Sequence, residues 1–111
     1  MSLLELIREA LHLVWEWIKK IWVKVLNWKN NIVDWFKEPS RLRKVSESKK
    51  KLAISIKENL QDGNFNVINC LYDEENSELV DYTENTIAIG ASELDSESAL
   101  NFGDKEMILL S

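Results

Sequence analysis

From Leu3 to Phe36 the apolar residues recur at helical spacing. Wound at about 100° per residue, Leu3, Leu6, Ile7, Leu11, Val14, Trp17, Ile18, Ile21, Trp28, Ile32, Trp35 and Phe36 fall on one side. Leu4, Trp15, Trp22 and Val33 widen that side. Glu5, Glu9, His12, Glu16, Lys19, Lys20, Asn27, Asn30, Asp34 and Lys37 take the other. The apolar arc spans roughly 220°, about twice the stripe that docks a helix on an ordinary core. Lys24, Lys29 and Asn31 intrude on it, and Val23 is stranded among polar positions. Several positions also repeat at eleven residues (Leu3, Val14, Val25 and Phe36; Leu4, Trp15 and Leu26). That period argues against a left-handed heptad coiled coil. The pattern predicts one amphipathic helix within residues 1–38, about 50 Å long.

Pro39 ends that helix, because proline donates no backbone hydrogen bond and restricts the residue before it. Ser40 offers an N-cap for a second, shorter helix over 40–62. Leu42, Val45, Leu52, Ala53, Ile56 and Leu60 share its inner face, and Asp62-Gly63 supplies the stop. Beyond Gly63 the texture changes. Phe65 to Tyr72 is rich in β-branched and aromatic residues, and Leu79–Thr83, Thr86–Ala91 and Glu106–Leu110 read as further short strands. Ser92 with Asp95 resembles a capping box for a helical turn that Gly103 ends. The expected fold is α+β: a long N-terminal amphipathic helix, a second helix, and a small acidic antiparallel sheet of three or four strands. Residues 1–38 would be an assembly or docking helix and residues 39–111 a small α+β domain.

Charge sharpens this division. Residues 1–51 hold twelve Lys/Arg and six Asp/Glu, giving +6, while residues 52–111 hold two Lys and thirteen Asp/Glu, giving −11. All five tryptophans lie between Trp15 and Trp35. A rod of that length outruns any core the remaining residues could build, so some indoles are left for a partner. The expected interface is Leu11, Val14, Trp15, Trp17, Ile18, Ile21, Trp22, Val25, Trp28, Ile32, Trp35 and Phe36.

Candidate chemistry is sparse. His12 is the only histidine and Cys70 the only cysteine, which excludes a disulfide within the chain, a CxxC motif and any His-His metal pair. Glu9 and Glu16 flank His12 at helical spacing, as surface pairs do. Cys70 lies in an apolar strand and reads as a small hydrophobe. There is no glycine-rich phosphate loop, GxSxG or HExxH, and Asp73-Glu74-Glu75-Asn76 lacks the spacing of a calcium loop. The basic run Arg41–Lys51 has no interleaved aromatics, which disfavours nucleic acid.

The expected protein is therefore not an enzyme and has no cofactor or metal. It is an intracellular, cytoplasmic interaction protein whose Trp-rich helix drives homo-oligomerisation or docks on a protein partner and displays the acidic C-terminal part. The alternative is a membrane-active protein whose helix lies on a bilayer or inserts on oligomerising. Interruption of the apolar run by Glu16, Lys19, Lys20, Lys24 and Lys29 argues against a conventional span. The mixed charge of the polar face weakens attraction to anionic lipid.

Overall fold

The computed structural model describes residues 1–110. Its first helix is far shorter than its apolar pattern. Ser2 caps α1 (Leu3–Val14) by accepting a hydrogen bond from the Glu5 amide, and the helix ends after Val14. Trp15–Trp17 tightens into a single 3-10 turn, and Ile18 is already extended. From Lys19 the chain forms β1 (Lys19–Leu26). Lys20, Trp22 and Lys24 alternate there with Ile21 and Val23. That two-residue period and the β-branched side chains suit a strand with one covered face. The expected 1–38 helix is thus overturned in its middle. Val23 and Lys24, the residues that fitted it worst, lie within the strand.

After β1 the chain forms a π-helical turn, Trp28–Val33, that runs into α2 (Asp34–Phe36). Asn27 caps the turn by accepting from the Asn30 amide at 2.8 Å, and Asn31 Oδ1 accepts from the Asn27 amide at 2.7 Å. The wide turn leaves the Asn31 carbonyl to the side chain of Asn69, whose Nδ2 donates to it at 2.9 Å. Ser55 Oγ donates to Asn69 Oδ1 at 2.8 Å. Asn69 and Ser55 are fully buried, and these bonds satisfy polar groups whose burial otherwise costs about 1–3 kcal/mol each.

Pro39 is the first residue of α3 (Pro39–Glu47) rather than a plain stop, a position where its missing N–H costs nothing. The helix expected over 40–62 ends at Glu47. Its second half is β2 (Lys51–Asn59), followed across the Asp62-Gly63 turn by β3 (Phe65–Asp73). Ala53, Ile54, Ser55 and Ile56 are consecutive and all buried. Both faces of β2 are covered, which removes the alternation that marks a half-exposed strand. Gly63, at φ +87°, supplies the left-handed residue of the turn. The short β4 (Glu78–Leu79) pairs with the end of β3, and β5 (Thr86–Leu94), α4 (Ser96–Phe102) and β6 (Met107–Leu110) follow. Asp95, not Ser92, caps α4.

The strands make one mixed six-stranded sheet in the order β1-β5-β3-β2-β6, with β4 beside β3. This overturns the small antiparallel sheet of three or four strands. The pair β1–β5 is parallel and the others are antiparallel. Residues 1–38 therefore donate a strand to the sheet built by residues 39–110.

Each face has its own core. On one, Ile7 and Leu11 of α1 and Ile18 pack on Ile54, Ile56, Ile68, Cys70, Tyr72 and Ala88. On the other, Leu26, Ile32, Phe36 and Phe102 pack on Ala53, Val67, Leu71, Ile87, Ile89 and Ala91. Burying each large apolar side chain contributes about 1.5–3 kcal/mol relative to exposure. The apolar arc of residues 1–36 is divided between these two cores, one on either side of the sheet.

Candidate functional site

The expected interface residues separate into three groups. Leu11, Ile18, Ile32 and Phe36 are buried in the chain's own cores. Val14, Trp15, Ile21, Trp28 and Trp35 are half-buried against those cores. Trp28 meets Phe102 edge-on at 6.3 Å, and Trp35 meets Phe36 edge-on at 4.8 Å with the Arg41 guanidinium 3.9 Å above its ring. The third group is open to solvent: Trp17 is 61% exposed, Trp22 57% and Val25 40%. These three lie on or just before β1, an edge strand.

Local chemistry sets this surface. Where α1 runs out, Lys20 folds back so that its ammonium donates to the Trp15 carbonyl and, at 3.3 Å, to that of Ile18. It also stands 4.9 Å from the Trp15 ring centroid. A cation here adds to the Trp15 carbonyl, which also accepts from the Ile18 amide at 3.4 Å, and suits the negative end of the helix dipole. Trp17 projects from the intervening turn. Trp22 pairs in register with Gly90 of β5, and its ring lies on that glycine. A Cβ at position 90 would sit 2.7 Å from Trp22 Cε3. The glycine is the seat of the indole, which keeps one ring face toward solvent. Lys19 and Lys24 are exposed, and no ion pair among the described residues involves them.

The only histidine lies nearby. Arg8, His12 and Trp15 of the helical segment face Ile56 and Glu58 of β2 and Asn66 and Ile68 of β3 across a cleft of about 460 Å³. Asn66 Nδ2 donates to Glu58 Oε1 at 3.3 Å, and Arg8 reaches Glu106 at 3.5 Å. Glu58 and Asn66 were absent from the sequence-derived candidates. Strand pairing sets them beside each other, and the packing of α1 on this face of the sheet puts His12 in the same cleft; neither has a spacing that links it to residue 12. Among the described residues no cluster of three His, Cys, Asp or Glu side chains could hold a metal ion. Burial pushes the Cys70 thiol up to about 12, so this cysteine is a core residue and not a ready thiolate.

At the opposite edge of the sheet a larger groove, about 690 Å³, runs between α3 and β6, with Phe36, Leu42, Val45, Ile108 and Leu110 among its walls and Lys37 and Lys105 at its rim. The basic run Arg41–Lys51 is dispersed. Arg41 is tied to the Trp35 and Glu84 carbonyls at 3.1 and 2.9 Å, Lys44 pairs with Asp81, and Lys51 starts β2. No helix among the described residues is long and apolar enough to cross a membrane. The chain matches no known family model, no curated protein and no solved structure.

Proposed function

We propose that this protein is a non-catalytic binding module whose docking surface is the Trp17–Val25 segment along the free edge of β1, and whose partner is an acidic protein. The observation that carries this reading is the exposure of two indoles, Trp17 and Trp22, on one short segment that also carries the exposed lysines Lys19 and Lys24. Large aromatic rings left in water are the residues that dominate interface energies when covered, and Trp22 is held in place by its glycine seat.

Charge favours an acidic partner over a second copy. Two β1 edges brought together about a twofold axis would set Lys19, Lys20 and Lys24 against one another, and like charges placed directly opposite are destabilising. An acidic segment meets the same lysines favourably. The apolar face of α1 packs on the sheet, which favours a protein partner over a bilayer.

A photo-crosslinker at exposed Val25, used in cells that make the protein, tests the proposal. The expected result is capture of an acidic protein, abolished by Trp17→Ala with Trp22→Ala, and a monomeric mass by light scattering for the isolated chain. Gly90→Ala is expected to keep the fold within about 1 kcal/mol but to displace the Trp22 ring and weaken capture. A defined homodimer, or strong binding to anionic vesicles, would replace this reading.

A further inference from the structure

The sheet has a second free edge, and it differs from the first. β1 carries three lysines, a common device against unwanted strand pairing. β6 is Met-Ile-Leu-Leu, with no charge, and it forms one wall of the groove against α3. The pairing register fixes which of its backbone groups are free. The Lys57 amide donates to the Glu106 carbonyl at 2.8 Å, so that pair is of the hydrogen-bonded type. In an antiparallel ladder such pairs alternate. Ser55↔Ile108 and Ala53↔Leu110 are then hydrogen-bonded pairs too. The N–H and C=O groups of Met107 and Leu109 consequently point away from β2, to the open edge.

We infer that the α3–β6 groove accepts an extended apolar peptide bearing a carboxylate, which adds to β6 as a seventh strand. Three features favour that occupant. The outward amide and carbonyl of Met107 and Leu109 match the repeat of an incoming strand. Leu42, Val45, Ile108 and Leu110 offer apolar contact to alternate side chains, the usual division between backbone affinity and side-chain specificity in strand addition. The charged side chains on the lining are Lys37 and Lys105, with no carboxylate among the described lining residues, so the complementary ligand charge is negative. This site is separate from the Trp17–Val25 surface and does not rest on it.

The test uses the full chain and a fluorescein-labelled hexapeptide of alternating valine and threonine with a free C-terminal carboxylate, followed by fluorescence anisotropy. Saturable binding is expected. Leu109→Pro removes an outward N–H without touching a bond to β2, a position where edge strands tolerate proline. It is expected to weaken binding about tenfold, a change worth one decade in Kd, while the thermal transition persists. Lys37→Glu with Lys105→Glu, or a carboxamide end on the peptide, is expected to weaken it as well. If Leu109→Pro does not fold, methylating alternate peptide amides probes the same bonds from the other side. Four outcomes would overturn the inference: no saturable binding, binding indifferent to both Leu109→Pro and amide methylation, binding equal for acid and carboxamide, or preference for dodecanoate over the peptide.

Discussion

At the scale of single residues, Cys70 shows how burial decides chemistry. Its side chain is fully enclosed under α1, and desolvation of the thiolate pushes its pKa to about 12. The unfolded chain has an ordinary cysteine, near 8.5. A group whose folded pKa is raised favours the folded state below its unfolded value and loses that contribution as pH rises toward the folded one. Native protein is therefore expected to resist thiol reagents at pH 8 and to lose stability between about pH 8.5 and 12. Cys70→Ala should flatten part of that alkaline loss, read as denaturation midpoints across the same range. Rapid labelling of the native thiol at pH 8 would contradict the buried placement.

At the scale of elements, Asp95 joins three of them. Its amide donates to the Leu26 carbonyl at the end of β1, one carboxylate oxygen accepts from the Trp28 amide at 2.9 Å, and the other caps α4 through the Ser98 amide at 2.8 Å. Burial works against the carboxylate, yet the bonds from Ser98 and Trp28 outweigh it and hold its pKa below the usual value. Asp95→Ala is expected to cost about 0.5–2 kcal/mol, the range for a lost N-cap, measurable as a lower urea midpoint. The same elements show what was legible in advance. β3 and β5 announced themselves by β-branched runs between turn residues. β1 and β2 did not. In residues 19–26 two periods compete: Ile21, Trp22, Val25 and Leu26 fit the helical stripe, while Ile21 and Val23 alternate with Lys20, Trp22 and Lys24, and only Val23 and Lys24 spoke against the helix. In residues 53–56 burial on both faces erased alternation altogether. The exposed indoles of the candidate surface were legible as residues. Their setting was not, because Gly90 lies far along the chain and only pairing brings it under Trp22. The open edge of β6 was equally hidden, since an edge is a property of the completed sheet.

At the scale of the whole molecule, residues 1–38 and 39–110 share one sheet and two cores, so neither has a complete core alone. A chain beginning at residue 39 would expose the face that α1 covers and the side of β5 that β1 pairs. It is expected to lack cooperative thermal unfolding, seen by calorimetry; a sharp transition would instead support an autonomous C-terminal domain. The parallel pairing of β1 with β5 has a further consequence, in time rather than space. Lys19 pairs with Ile87, which lies 87 − 19 = 68 residues later. At about 5–20 residues per second of synthesis, β1 waits several seconds for its partner. While it waits, the strongest organisation available to it is local, and helices form in about a microsecond. The helical period of residues 3–36 is then expected to shape an early, non-native state. Refolding from urea is expected to begin with more far-ultraviolet helical signal than the native protein has. That signal should decay in the slow phase that builds the sheet, and trading Ile21 and Val23 for leucine should prolong it. The tryptophan-rich segment would thus pass its first moments as an exposed amphipathic helix, the period in which aggregation is the hazard.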